Sequence, residues 1–124
     1  MATILMIEDD EVFGKKLGKL LQEADHKVFW ARNSNEVFDC LGVQKIELVL
    51  LDIMLPKVNG FEIFKLMKKD EKYKSIPVVV VTGLSESAAM DKAARMGVKD
   101  YIIKANLDMS KLVADVRRVY VPAR

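Results

Sequence analysis

The sequence predicts an α/β sandwich in which strands and helices alternate. Short apolar runs recur along the chain, and most are apolar throughout rather than alternating with polar residues. Strands of that kind are buried on both faces, as in a parallel sheet covered by helices. Stretches with helical periodicity fill the gaps between the runs, so the chain reads as a strand and a helix repeated five times. That order implies a three-layer domain, and right-handed crossovers leave few ways to connect it. The 124 residues suit a single domain spanning 1–124.

The first strand is Ile4-Leu5-Met6-Ile7, and the helix after it places Phe13, Leu17, Leu20, Leu21 and Ala24 on one face. Val28-Phe29-Trp30-Ala31 is the second strand. Its helix starts at Ser34, buries Val37, Phe38 and Leu41, and stops at Gly42. Leu48-Val49-Leu50-Leu51 precedes a helix with Ile63, Leu66 and Met67 inward. Val78-Val79-Val80-Val81 precedes a helix that starts near Ser85, turns Met90, Ala93 and Ala94 inward and stops at Gly97. Tyr101-Ile102-Ile103 leads to the last helix, with Leu112, Val113, Val116 and Val119 inward. The tail from Tyr120 to Arg124 reads equally as a natural end or as the start of a linker.

Composition removes several function classes. Twenty Lys plus Arg against eighteen Asp plus Glu leave a net charge of +2, which makes no general case for binding nucleic acid or a membrane surface. A single cysteine, Cys40, excludes an internal disulfide. No stretch approaches the ~18 apolar residues of a membrane span. Met1-Ala2-Thr3 runs straight into the first strand without a signal-peptide pattern, so a cytoplasmic protein is expected.

In such folds functional residues gather where strands end at their carboxyl edge. Glu8-Asp9-Asp10 follow the first strand, Asp52 the third, Thr82-Gly83 close the fourth, and Lys104 follows the fifth. Asp10 ahead of Val12 and Phe13 suits a helix N-cap, but that leaves Asp9 and Asp52 unexplained. If the first and third strands are neighbours, these acids converge. Like charges so close need a cation, and oxygen-only ligands favour Mg²⁺ or Mn²⁺ with room for waters and a phosphoryl group. The Thr82 hydroxyl and the Lys104 ammonium suit phosphoryl oxygens. Pro56 and Gly60 shape the loop after Asp52.

Taken together, these motifs resemble the receiver domain of two-component response regulators, from Ile4 to about Val119. The matching features are Asp9-Asp10, Leu51-Asp52-Ile53-Met54-Leu55-Pro56 with Gly60, Thr82-Gly83, and Asp100-Tyr101 ahead of Lys104. The resemblance implies a doubly wound sheet in the order 2-1-3-4-5 and a phosphorylation switch with Asp52 as phosphoacceptor. It implies Mg²⁺ held by Asp10, Asp52 and the Met54 backbone carbonyl, with Asp9 acting mainly through water. Thr82 and Tyr101 would form the switch pair and Lys104 would bind the phosphoryl group, while Met54 and Leu84 would tune how long it lasts. The implied partners are a histidine kinase or phosphotransfer protein and an output protein, output domain or second copy. The output partner would dock on the face over residues 85–119, which carries Lys92, Arg95, Lys99, Asp100, Lys111, Arg117 and Arg118. The chain would then be a switch rather than an enzyme, with no membrane or direct nucleic-acid partner.

One departure is Ala105, where the family usually has proline after the lysine. A cis bond before alanine costs roughly 2.5–4 kcal/mol, so a trans Lys104-Ala105 bond and a less tightly held lysine are expected. Three rivals use the same residues differently. An FMN-binding flavodoxin shares the layer order, but Glu8-Asp9-Asp10 would repel its phosphate. An aspartyl-nucleophile phosphatase would want a second Asp where Met54 stands. A pseudo-receiver would only bind partners. Trp30 is expected to pack in the core, too far from the acids to report on them. His26 is expected to be exposed, and Cys40 to be inert.

Overall fold

The computed structural model describes residues 1–122; Ala123 and Arg124, the end of the tail, lie outside the described residues. The unbroken apolar runs form the interior of the sheet. β1 (Thr3–Ile7), β3 (Leu48–Leu51) and β4 (Val78–Thr82) are almost wholly buried. β2 (Lys27–Ala31) and β5 (Asp100–Ile103) are partly open because they are the edges. Every pairing is parallel and the order is β2-β1-β3-β4-β5, as the resemblance implied.

Side chains alternate across each strand, so each face builds its own core. Leu5, Ile7, Val49, Leu51 and Val80 pack against α2 (Ser34–Val43), α3 (Gly60–Lys69) and α4 (Ser87–Met96). Ile4, Met6, Leu48, Leu50 and Val79 pack against α1 (Glu11–Glu23) and α5 (Met109–Asp115). Side-chain oxygens of Asp10, Asn33, Asn59 and Asp108 accept from the first-turn N–H groups of α1, α2, α3 and α5.

Several helix details differ from the sequence reading. The cap of α2 is Asn33 rather than Ser34, and the helix runs through Gly42 to Val43. α4 starts at Ser87, two residues beyond Ser85, and stops at Gly97, whose φ of 93° is open to glycine at no steric cost. In α3 the inward stripe is Phe61, Ile63, Phe64 and Met67, and Leu66 is 51% exposed. Entry at Gly60 sets the helix frame, and Leu66 falls beside that stripe rather than on it.

α5 continues into a π-helical turn, Val116–Tyr120, in which the Val121 N–H donates to the Val116 carbonyl at 2.7 Å. The extra residue per turn rotates Val119 outward to 48% exposure and brings Tyr120 into the core. The Tyr120 hydroxyl donates to Asp100 Oδ2 at 2.7 Å, tying the end of the chain to β5.

His26 is also placed differently. It is buried, and its Nδ1 accepts from the Ala2 N–H at 3.0 Å, an interaction across the sheet edge that its charged sequence neighbours conceal. Burial pushes the Cys40 thiol up, which keeps it protonated and agrees with an inert cysteine.

Candidate functional site

The topology sends α1 and α3 to opposite faces of the sheet, so a crevice opens above the adjacent ends of β1 and β3. Asp52 leaves β3 there, its N–H donating to the Ile7 carbonyl at 2.9 Å. It is 5% exposed. Its Oδ1 accepts from the Met54 N–H at 2.9 Å, and its Oδ2 accepts from Lys104 Nζ at 3.0 Å. The loop beyond it closes on α3 through Gly60, where an added Cβ would stand 2.5 Å from Ile53 Cα and 2.7 Å from the Asp52 carbonyl oxygen. That close approach is what requires glycine.

Lys104 reaches the same point from β5. Among the described residues there is no cis peptide bond, so Lys104-Ala105 is trans as expected. The lysine is nevertheless firmly held, contrary to the expectation of a looser one. A 3₁₀ turn over Lys104–Asn106 redirects the chain, and Nζ donates to Glu8 Oε1 at 2.8 Å as well as to Asp52. It also lies 4.4 Å from the centre of the Phe13 ring.

The acids after β1 divide their work differently from the sequence reading. Glu8, which that reading left without a role, is 2% exposed and pairs with Lys104. Its Oε2 also accepts from the Asp10 N–H at 3.0 Å. Asp9 lines the cleft beside Ile53, Met54 and Leu55. Asp10, expected as a metal ligand, stands as the exposed N-cap of α1, with Oδ1 accepting from the Phe13 N–H at 3.1 Å. Glu8 thus meets Lys104 and Asp9 lines the cleft, while Asp10 is taken up by α1. The N-cap signal that Asp10 carries in the sequence was the clue to this shift.

Burial pushes the Glu8 carboxyl up, against the hydrogen bonds from Lys104 and the Asp10 N–H, and the Asp52 charge adds to the rise. Burial pulls the Lys104 ammonium down, but the hydrogen bonds and charges of Glu8 and Asp52 outweigh it and hold the group above its ordinary value. One ammonium thus serves two buried carboxylates.

Thr82 is fully buried at the end of β4, and its Oγ1 accepts from the Leu84 N–H at 3.4 Å. Tyr101 donates its hydroxyl to the Leu84 carbonyl at 2.7 Å. The two residues expected to act as a pair therefore meet on the backbone of Leu84. Gly83 between them is exposed, and nothing lies within 4 Å of a Cβ added there.

The family model for the response regulator receiver domain matches residues 4–117. The chain belongs to that family. Receiver domains are switches in two-component signalling rather than enzymes in the ordinary sense. The chain is 32% identical over 117 residues to the transcriptional regulatory protein CrdR of Helicobacter pylori, covering 94% of this chain but 54% of that protein. It thus spans about half the length of that relative. It is 32% identical over 104 residues to protein PilH of Pseudomonas aeruginosa, covering 84% of this chain and 86% of that protein. Among solved structures, the non-phosphorylated HemR receiver domain of Leptospira biflexa matches with a TM-score of 0.87 and 27% identity, covering 100% of this chain and 98% of that one.

On this receiver domain the face over residues 85–119 carries the basic side chains noted in the sequence, and some are engaged within the chain. Lys92 stands 4.6 Å from the centre of the Phe61 ring on α3, and Lys111 donates to Asp115 Oδ2 at 2.7 Å. No described helix is long and apolar enough to cross a membrane.

Proposed function

We propose that the whole chain, 1–124, works as one phosphorylation-dependent switch whose phosphoacceptor is Asp52. The observation that supports this most is the buried Asp52 carboxylate, held between the Met54 N–H and Lys104 Nζ. In the reaction an Asp52 oxygen attacks phosphorus in line. The bond from phosphorus to the imidazole nitrogen of a histidine kinase or phosphotransfer protein breaks, and the electron pair leaves with the imidazole. Lys104 shifts from the carboxylate to a phosphoryl oxygen. Hydrolysis of the acyl phosphate by water restores the carboxylate and releases inorganic phosphate.

The oxygen donors of the crevice fit Mg²⁺, or Mn²⁺ in its place: the Asp9 and Asp52 carboxylates with the Met54 backbone carbonyl. Among the described residues no three acid side chains close into a cage. Mg²⁺ keeps several waters and is commonly held by only one or two carboxylates, so it needs no such cage. When bound, the ion neutralises charge on the phosphoryl oxygens. Asp10 is left out of this set because its carboxylate caps α1.

Thr82 and Gly83 would take a phosphoryl oxygen through the hydroxyl and a backbone N–H. The Tyr101 bond to the Leu84 carbonyl would carry that movement to the face over residues 85–119, where an output protein, an output domain or a second copy docks. A small acyl phosphate or phosphoramidate with Mg²⁺ should add one phosphoryl group by intact mass. Asp52→Asn should take none, and full labelling of that variant would overturn the assignment.

A further inference from the structure

Trp30 lies on β2, where no role in the site was expected of it, but its indole reaches the acid loop. Its register partner in β1 is Met6, two residues before Glu8. The indole Nε1–H donates to the Glu8 backbone carbonyl at 2.9 Å. The Glu8 N–H donates to the Ala31 carbonyl at 3.1 Å, so β2 holds both backbone groups of Glu8, one through its main chain and one through the indole. The loop is also tied to α1, where the Gly14 N–H donates to the Asp10 carbonyl at 2.9 Å, and to side chains of the site. The Glu8 carboxylate holds the Asp10 N–H and the Lys104 ammonium.

The indole has little freedom to move. A Cβ added to Gly14 of α1 would stand 2.3 Å from Trp30 Cζ2, so glycine is what lets the ring lie against the helix backbone. The Arg32 guanidinium covers the ring at 4.3 Å from its centre and lines the same cleft as Asp9, Leu55 and Lys57. A rigid donor aimed at a backbone carbonyl costs no side-chain entropy when the loop settles.

We infer that Trp30 is a positioning residue of the acid site: clamped by Gly14 and Arg32, it fixes through the Glu8 carbonyl the loop that aims Glu8 and Asp9. The functional arm of the inference rests on the phosphoacceptor reading above. Outer groups that orient ligands typically change metal affinity or activity about 10–100-fold when removed.

Replacing Trp30 with benzothienylalanine keeps the ring shape and removes the N–H. The expected result is a dissociation constant for Mg²⁺ alone, by calorimetry, raised about tenfold. Exchange of the Asp10 amide should quicken, and the melting temperature should stay close to that of the parent. Trp30→Phe should act in the same direction. Gly14→Ala should too, although alanine favours a helix more than glycine does. In the Trp30→Phe background, where Cζ2 and Cη2 are gone, Gly14→Ala should cost no further affinity. Parent-like Mg²⁺ affinity and Asp10 exchange in the benzothienylalanine chain would overturn the inference. If the parent takes no phosphate at Asp52, the phosphoacceptor reading fails while the Mg²⁺ and exchange measurements still decide the role of Trp30.

Discussion

Lys104 Nζ stands 2.8 Å from Glu8 Oε1, closer than the 3.0 Å that separates it from Asp52 Oδ2. The lysine that serves the proposed phosphoacceptor is thus equally the counter-ion of a second, deeply buried acid. This arrangement holds the lysine in place without a proline after it. The two carboxylates aim the ammonium.

Lys104→Met should leave Glu8 and Asp52 facing each other without a cation. Removing one partner of a buried ion pair costs about 3–5 kcal/mol. Glu8 already has a raised pKa in the folded chain, so the folded state holds its proton more tightly than the unfolded one. Stability from that group is therefore lost as pH rises from the ordinary carboxylate value through the folded one. Without Lys104 the loss should deepen, so the deficit of the variant should be smaller at pH ~5 than at pH ~8. Urea unfolding at the two pH values checks this, and an equal deficit at both would contradict it.

Met54 should lengthen the life of the phosphoryl group. Its side chain is 57% exposed at the mouth of the site, while its N–H is committed to Asp52. A thioether cannot orient an attacking water well. Met54→Asn should speed loss of the phosphoryl group about three- to tenfold, the rate equivalent of roughly one hydrogen bond. Intact mass followed over time after removal of the donor reads this directly. Slower loss would refute it.

Gly60→Ala should disturb the site through packing alone. The added carbon meets backbone, Ile53 Cα and the Asp52 carbonyl oxygen, and neither can swing aside. Overpacking of this kind costs about 1–3 kcal/mol. Slower labelling of Asp52 should accompany the drop in melting temperature. An unchanged melting temperature and labelling rate would show that the loop yields freely.

The part of the stability that depends on His26 should fall as pH drops below about 6.5, the ordinary histidine value. Burial lowers the His26 pKa in the folded chain, Arg117 and the N-terminal ammonium lower it further, and Asp25 opposes them. The unfolded chain binds the proton more readily, so this part of the stability is present above that pH and lost on the way down to the folded value. Protonation also takes from Nδ1 the lone pair that accepts from the Ala2 N–H. Chemical unfolding between pH ~5 and ~8 should show the slope, and His26→Gln should flatten it.

The sheet and the edge that carries the proposed site are legible in the apolar runs and in the residues that follow them. Long apolar runs bury only where helices cover both faces, and that physics is local enough to read from β1, β3 and β4. The positions of Asp52, Thr82 and Lys104 follow because strand ends in such a sheet share one edge, whereas Tyr101, the second residue of β5, is indicated only by the family resemblance. Which partner each acid meets depends on the fold. Glu8, Asp9 and Asp10 are consecutive acids in the sequence, and their roles depend on where β1 stops and α1 begins, a boundary set by the Phe13 N–H that Asp10 caps. Trp30 packs against the core as expected, but its reach to the acid loop and the burial of His26 are hidden in the sequence for a related reason. Their partners, the Glu8 carbonyl and the Ala2 N–H, are backbone groups far away in sequence. Backbone groups look alike at every position, so only strand register brings these into view. The outward turn of Val119 also waited on the structure, because one π-helical turn breaks the helical period.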